Sequence, residues 1–283
     1  ELSAPALRIT VEGRKLFRSW SKSPSQTTAS GIWFDLSMSP GNPVAQYYFA
    51  TPMTATAMAR STDGGLDHGG NVNSVGYKKF LHRFEIQTVG ATAAPLTFEL
   101  LDYLAFYPGI AMDVGVQEFS TAISLPRWTA ADGVQMMVIE QNPYVGGATF
   151  AITYENAAGD TVVSPTLTCN TQVSAGTIAT TASATAGCLG RFVPLASQDK
   201  GVARPLSIEF FTGDVGLLCV VLVKPLAHGN IFETTAPCYY EFPRDFADLP
   251  EIKDDAYLNL ICMAVGTLAG STILGNLTTI WSA

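Results

Sequence analysis

The side chains best suited to proton transfer, nucleophilic attack or metal binding are three histidines, His68, His82 and His228, and five cysteines. Neither set is spaced for that work. His68 lies in Asp67-His68-Gly69-Gly70-Asn71, where Asp67 is the one local partner. Adjacent residues in a loop or strand rarely converge on one ligand. His82 falls in a polar slot of a strand pattern, which predicts a surface position, and His228 precedes Gly229 at the end of an apolar run, which predicts a turn. The cysteines, Cys169, Cys188, Cys219, Cys238 and Cys262, form no CxxC or CxxH pair, so a zinc knuckle is not indicated. Cys219 and Cys262 sit in apolar runs, as buried free thiols do. Cys169 and Cys188 flank a loop of small residues, where a disulfide and two free thiols are both open.

Among the acids, Asp113, Glu118, Asp132, Asp254 and Asp255 belong to no DxDxDG loop that would wrap a cation. Glu99 and Asp102 stand in the apolar stretch Glu99-Leu100-Leu101-Asp102-Tyr103, where a carboxylate faces outward or needs a partner such as an arginine. GxSxG, GxxxxGK, HExxH and GxGxxG are all missing. The expectation is a protein that is not an enzyme and has no catalytic, cofactor-binding or metal-binding residues.

The elements around these residues are read as strands. Phe80 to Thr88 alternates in part between apolar and polar residues, Leu96 to Phe106 is a long apolar run closed by Pro108-Gly109, and Val134 to Ile139 is a shorter one. Thr149 to Tyr154 and Thr161 to Thr168 flank an Asn/Gly/Asp cluster and predict a hairpin, with Pro165 marking its second strand as an edge or a break. Leu206 to Phe211 and Val215 to Val223 look joined by the turn Thr212-Gly213-Asp214, and Cys238 to Phe242 and Tyr257 to Val265 complete the set. The best helix candidate is Thr51 to Arg60, with one further turn at Asp245 to Leu249. This pattern predicts an all-β chain, a β-sandwich or jelly-roll-like body with long loops and at most one or two short helices. Residues 1–30 are expected as an N-terminal arm and linker. Residues 31–283 are expected as the body, with a hairpin-containing insertion around 143–190.

Hydrophobic residues make up 47% of the 283 and charged residues 14%, about half the usual share. Such a surface must be largely neutral and polar, and neutral groups lose water more cheaply than ions. The net charge of −8 argues against nucleic acid, which calls for a basic stripe. The most apolar run, Val215 to Val223, is far shorter than a membrane span. Arg8, Arg14, Lys15 and Arg18 make the N-terminal segment locally basic, fit to dock on an acidic neighbour or to keep a terminus soluble. The aromatic groups Trp33, Phe34, Tyr47, Tyr48 and Trp128 complete the interface candidates.

Several stretches together resemble poorly characterised structural proteins of tailed bacteriophages. They are Gly31 to Ser37, Pro40-Gly41-Asn42-Pro43, His68-Gly69-Gly70-Asn71-Val72, Leu101 to Pro108 and Pro143-Tyr144-Val145-Gly146-Gly147. The resemblance runs from about Gly31 onward and carries no catalytic residues. It implies a virion component made in the bacterial host cytoplasm, a capsid decoration (cement) or minor capsid protein. Its partners would be copies of itself and other virion proteins, as a homo-oligomer without nucleic acid or membrane. The alternatives are a neck, tail or baseplate component, or a receptor- or carbohydrate-binding β-sandwich module.

Overall fold

The strand that organises the molecule is apolar on both of its faces. Leu218, Val220 and Leu222 point to one core, while Cys219, Val221 and Val223 point to another. A strand with two buried faces needs a layer on each side, so it belongs inside the molecule. The computed structural model describes residues 14–24, 28–72, 77–90, 95–120, 123–171, 174–182, 185–234, 236–246 and 249–281.

In chain order the strands are β1 (Arg14–Lys22), β2 (Trp33–Asp35), β3 (Gly41–Asn42), β4 (Thr56–Ala57), β5 (Lys79–Val89) and β6 (Leu96–Ala111). They continue as β7 (Gly115–Glu118), β8 (Gln135–Asn142), β9 (Thr149–Asn156), β10 (Thr161–Val163), β11 (Leu167–Thr168) and β12 (Val202–Thr212). The last are β13 (Leu217–Ile231), β14 (Cys238–Glu241), β15 (Glu251–Ile252), β16 (Tyr257–Ala264) and β17 (Thr272–Trp281). Single helical turns stand at Leu36–Met38, Arg60–Asp63 and Phe242–Asp245. The chain is all-β, with antiparallel sheets packed in layers, as the sequence predicts.

The middle sheet has the order β2-β16-β6-β13-β8, with β4 on β6. Its two outer strands do not stay open. Thr177 bridges Phe34 of β2, and Ile178 bridges Ile139 of β8. Around these bridges Ile178 N donates to Trp33 O, Ala179 N to Val138 O, and Glu140 N to Thr177 O. One short segment therefore closes the hydrogen-bonded ring into a small barrel and removes both edges. Met137, Ile139, Tyr103, Val221 and Ile261 fill its interior. The first outer sheet, β14-β5-β17-β1-β3 with β15, packs on the barrel through Phe84, Phe98, Leu260 and Leu277. The second, β10-β9-β12-β7 with β11, packs through Phe150, Ile152, Ile208 and Val138.

Three expectations change on contact with this topology. The turn at Thr212-Gly213-Asp214 joins its two strands as expected, but across sheets, because β12 pairs with β9 and β7 while β13 pairs with β6 and β8. The doubly apolar β13 needs the barrel wall, so the chain changes sheets at this turn. Leu96 to Phe106 does not stop at Pro108-Gly109. β6 runs on to Ala111, and the two residues form a bulge between the pairs Tyr107–Val220 and Ile110–Leu218. Thr51 to Arg60 is not a helix, because the wall of β6 claims its backbone: Met53 N donates to Pro108 O, β4 pairs with Phe106 and Ala105, and Met58 N donates to Leu104 O. Residues 14–22 of the expected arm are β1, paired along their length with β17. The break at Pro165 falls where predicted, between β10 and β11.

All five cysteines are free, Cys169 and Cys188 included. A reducing agent is therefore expected to leave the melting temperature unchanged within about 1 °C; removing a native disulfide would typically cost about 2–5 kcal/mol.

Candidate interaction surface

Asp35 is completely buried at the end of β2, and its carboxylate is held from every side. Tyr103 Oη (2.6 Å) and the Ser37 amide (3.0 Å) donate to Oδ1, and Tyr48 Oη (2.5 Å) and Ser37 Oγ (2.5 Å) donate to Oδ2. Burial raises the carboxyl above its usual range, against the pull of these four bonds. Close by, the buried Lys22 ammonium donates to the carbonyls of Ser39 (3.0 Å), Ser37 (3.4 Å) and Val44 (3.4 Å). Desolvation lowers it to about 8, with Asp35 pulling the other way. The two opposite charges, bonded on either side of Ser37, tie β1, β2 and β6 to the loop 43–50.

That loop turns one aromatic ring in and two out. Tyr48 is fully buried and adopts a left-handed backbone with φ of 55°. Its neighbours Tyr47 and Phe49 are 45% and 85% exposed and lie ring to ring at 5.9 Å. Gln141 Nε2 donates to the carbonyls of Tyr47 and Tyr48, fixing the loop to the end of β8. Replacing Tyr48 by phenylalanine leaves Asp35 short of one donor, so a loss of about 1.5–3 kcal/mol is expected in a urea melt.

Three further loops meet the same end of the barrel, where Leu217 pairs with both Ala111 and Asn142. Asp214 N donates to Met112 O, and the Asp214 carboxylate accepts from the amides of Val145 and Gly146. Their tips expose Val114, Val145 and Val215, and the first loop adds Val44. Loops 43–50, 112–116, 143–147 and 213–216 hold two acids, Asp113 and Asp214, and no lysine or arginine. These exposed apolar side chains make this end of the barrel the candidate interaction surface.

The predicted interface residues divide. Tyr47 belongs to this surface. Trp33, Phe34 and Tyr48 are corrected to core positions, at 8%, 1% and 0% exposure: β2 is covered on both faces, and the Tyr48 hydroxyl reaches in to the buried Asp35. Trp128 is partly buried on a different loop, and its Nε1 donates to Asp102. Lys15 is exposed on β1, Arg18 pairs with Asp67 at 2.6 Å, and Arg14 contributes backbone pairing to β17. Arg8 lies outside the described residues. Beyond β3 at Ser21 and Lys22, the outer edge of β1 has no strand partner among the described residues. Lysine on such an edge is a common guard against uncontrolled pairing.

The histidines offer little chemistry. His68 is buried; its Nε2 lies 2.9 Å from Ala256 O, and burial lowers it to about 3. His82 is buried at 8% exposure rather than on the surface, and burial lowers it also. His228 is exposed within β13 rather than in a turn, and its ring lies 6.2 Å from Phe246. Glu99 and Asp102 bond to Arg191 and Arg127, the structural alternative open to them. Among the described residues no three His, Cys, Asp or Glu side chains are placed to hold a metal ion, and no helix is long and apolar enough to cross a membrane.

No protein family and no curated protein matches the chain. Among solved structures, that of infectious bursal disease virus Gx strain is 8% identical, with a TM-score of 0.19, and the match covers 100% of this chain and 87% of that one. The crystal structure of the infectious bursal disease virus VP2 subviral particle is 8% identical, with a TM-score of 0.20, and coverages of 100% and 83%. Likenesses this low carry no argument, so fold and role rest on the residues of this chain.

Proposed function

We propose that this chain is a non-enzymatic structural protein of a bacteriophage virion, a capsid decoration or minor capsid protein that assembles with copies of itself and with other virion proteins. The observation that carries the assembly half is the apolar end of the barrel. Tyr47, Phe49, Val114, Val145 and Val215 project from loops whose backbones are anchored by hydrogen bonds to Gln141, Asp214 and Met112. An anchored apolar patch loses little conformational entropy on docking, and each large side chain buried there contributes about 1.5–3 kcal/mol. The phage half rests on the sequence resemblance from Gly31 onward. A neck, tail or baseplate position would use the same surface.

Two measurements test the two halves. Sedimentation of the purified chain is expected to show an oligomer, and Phe49→Ser with Val145→Ser is expected to weaken it at least tenfold without lowering the melting temperature. A wild-type monomer at all concentrations contradicts self-assembly. Mass spectrometry of purified phage particles is expected to find the chain, and its absence from them contradicts the virion role.

A further inference from the structure

Two adjoining clefts, of about 450 and 340 Å³, gather Lys78, Lys79, Arg127, Lys224 and Lys253 on their walls and share Lys253. That is five of the 16 basic residues in the chain, against three of its 24 acids, Asp132, Glu251 and Asp254. In a protein of net charge −8 this is a local reversal of sign. The larger cleft also has an aromatic wall. Trp128 lies with the ammonium groups of Lys253 and Lys224 at 4.7 and 5.2 Å from its ring centre.

The parts of this wall are held in place. The indole Nε1 donates to the buried Asp102 carboxylate at 2.9 Å. Lys224 Nζ donates to Asp132 O at 2.7 Å, and Lys253 Nζ to Glu251 Oε1 at 2.8 Å. The loop that carries Trp128 places two residues other than glycine, Trp128 and Ala131, in the left-handed region, with φ of 54° and 60°. Gly133 follows at φ of 69°, a conformation that favours glycine. Backbone held in sparsely populated conformations concentrates at ligand sites, where the surrounding structure keeps it in position.

We propose that this cleft binds an acidic sugar, a pyranose ring carrying a carboxylate, a binding function separate from assembly. The two ammonium groups lie over the indole, so the apolar edge of the ring packs beside them against the rest of the indole surface. The carboxylate meets Lys224 and Lys253, and hydroxyl groups donate to the Asp132 carboxylate and share bonds with Thr129. Both volumes lie in the range of small-molecule sites, about 300–1,000 Å³. A nucleic acid fits less well. The guanidinium best shaped for phosphate, Arg127, is bound to Asp102 instead.

The test is titration calorimetry with saturation-transfer NMR, using trigalacturonate as probe. The neutral galactose trimer, a short oligonucleotide and an acidic peptide are the comparisons. Trigalacturonate is expected to bind at least tenfold more tightly than each of the three. Lys224→Ala with Lys253→Ala is expected to weaken it at least tenfold while the melting curve stays unchanged. Trp128→Phe, which keeps a ring, is expected to retain more affinity than Trp128→Ala. The proposal is overturned by no saturation transfer to trigalacturonate, by equal binding of the neutral trimer, by tighter binding of the oligonucleotide or the peptide, or by full affinity in the double lysine variant. Whether the chain is found in particles does not bear on any of these results.

Discussion

Asp102→Ala is expected to destabilise the protein by about 3–5 kcal/mol, the usual loss when one member of a buried ion pair is removed. Asp102 is fully buried and Arg127 is 8% exposed. Arg127 Nη2 and Nε donate to the carboxylate at 2.8 and 3.0 Å, while Nη1 and Nη2 also donate to the carbonyls of Met58 and Tyr103. Without Asp102 the guanidinium keeps its two carbonyls but loses its counter-charge while remaining largely buried. The indole of Trp128 loses its acceptor at the same time. The cost is therefore that of an orphaned charge and not the worth of the pair. A second variant separates these: Asp102→Leu with Arg127→Met removes both charges and is expected to recover most of the loss. Urea denaturation measures all three proteins. A loss below about 1 kcal/mol for the single variant, or a double variant no better than the single one, contradicts the account.

How much of this was legible beforehand depends on how each residue is covered. The strands were readable where one face differs from the other, as in β5, and where apolar runs were too short for helices, as in β8 and β13. What a run cannot reveal is which of its neighbours it pairs with. Leu206 to Phe211 and Val215 to Val223 read alike as apolar runs joined by a turn and share one core, yet they belong to different sheets. Only the second buried face of β13, with Cys219, Val221 and Val223 in another core, marks the difference. The closure of the barrel was invisible for another reason. Thr177 and Ile178 make one bridge each, in a segment of small residues with no periodicity to detect. Small side chains suit a segment squeezed between two strands, yet the same composition describes a surface loop.

The interaction surface was half legible. Tyr47 and Tyr48 stood out as aromatics, but the left-handed backbone that turns the Tyr48 ring inward leaves no mark in the sequence. Trp33 and Phe34 misled because both faces of β2 are covered, so no alternation marks one as inward. Asp35 gave no signal at all. Its role depends on Lys22, Tyr48 and Tyr103, which come from three distant places in the chain and meet only when the barrel forms. The Asp102 pair was partly foreseen, since a carboxylate in an apolar run calls for an arginine, but nothing local names Arg127 as that arginine.

Glu140→Gln is expected to make the protein more stable at pH 8 while changing little at pH 5. Glu140 ends the buried part of β8, where its amide donates to Thr177 O and its carbonyl accepts from Gly176 N, directly under the segment that closes the barrel. Its side chain is fully buried, and burial raises the carboxyl to about 7, offset only in part by an amide at Ser174. In the unfolded chain the same group releases its proton near the ordinary value of about 4.3. Between these two values the unfolded state binds fewer protons than the folded one, so stability falls as pH rises from about 4.3 to about 7 and is level above that. The whole interval corresponds to about 4 kcal/mol. Glutamine keeps the volume and carries no charge at any pH, so the variant lacks this loss. His68 acts in the opposite sense, because a folded value of about 3 makes stability rise with pH until the unfolded histidine is neutral. The raw profile mixes the two, and the difference between wild type and Glu140→Gln isolates the carboxylate. Urea melts at half-unit steps from pH 4.5 to pH 8 measure that difference, which is expected to grow through this window; a constant difference shows that Glu140 titrates at its ordinary value.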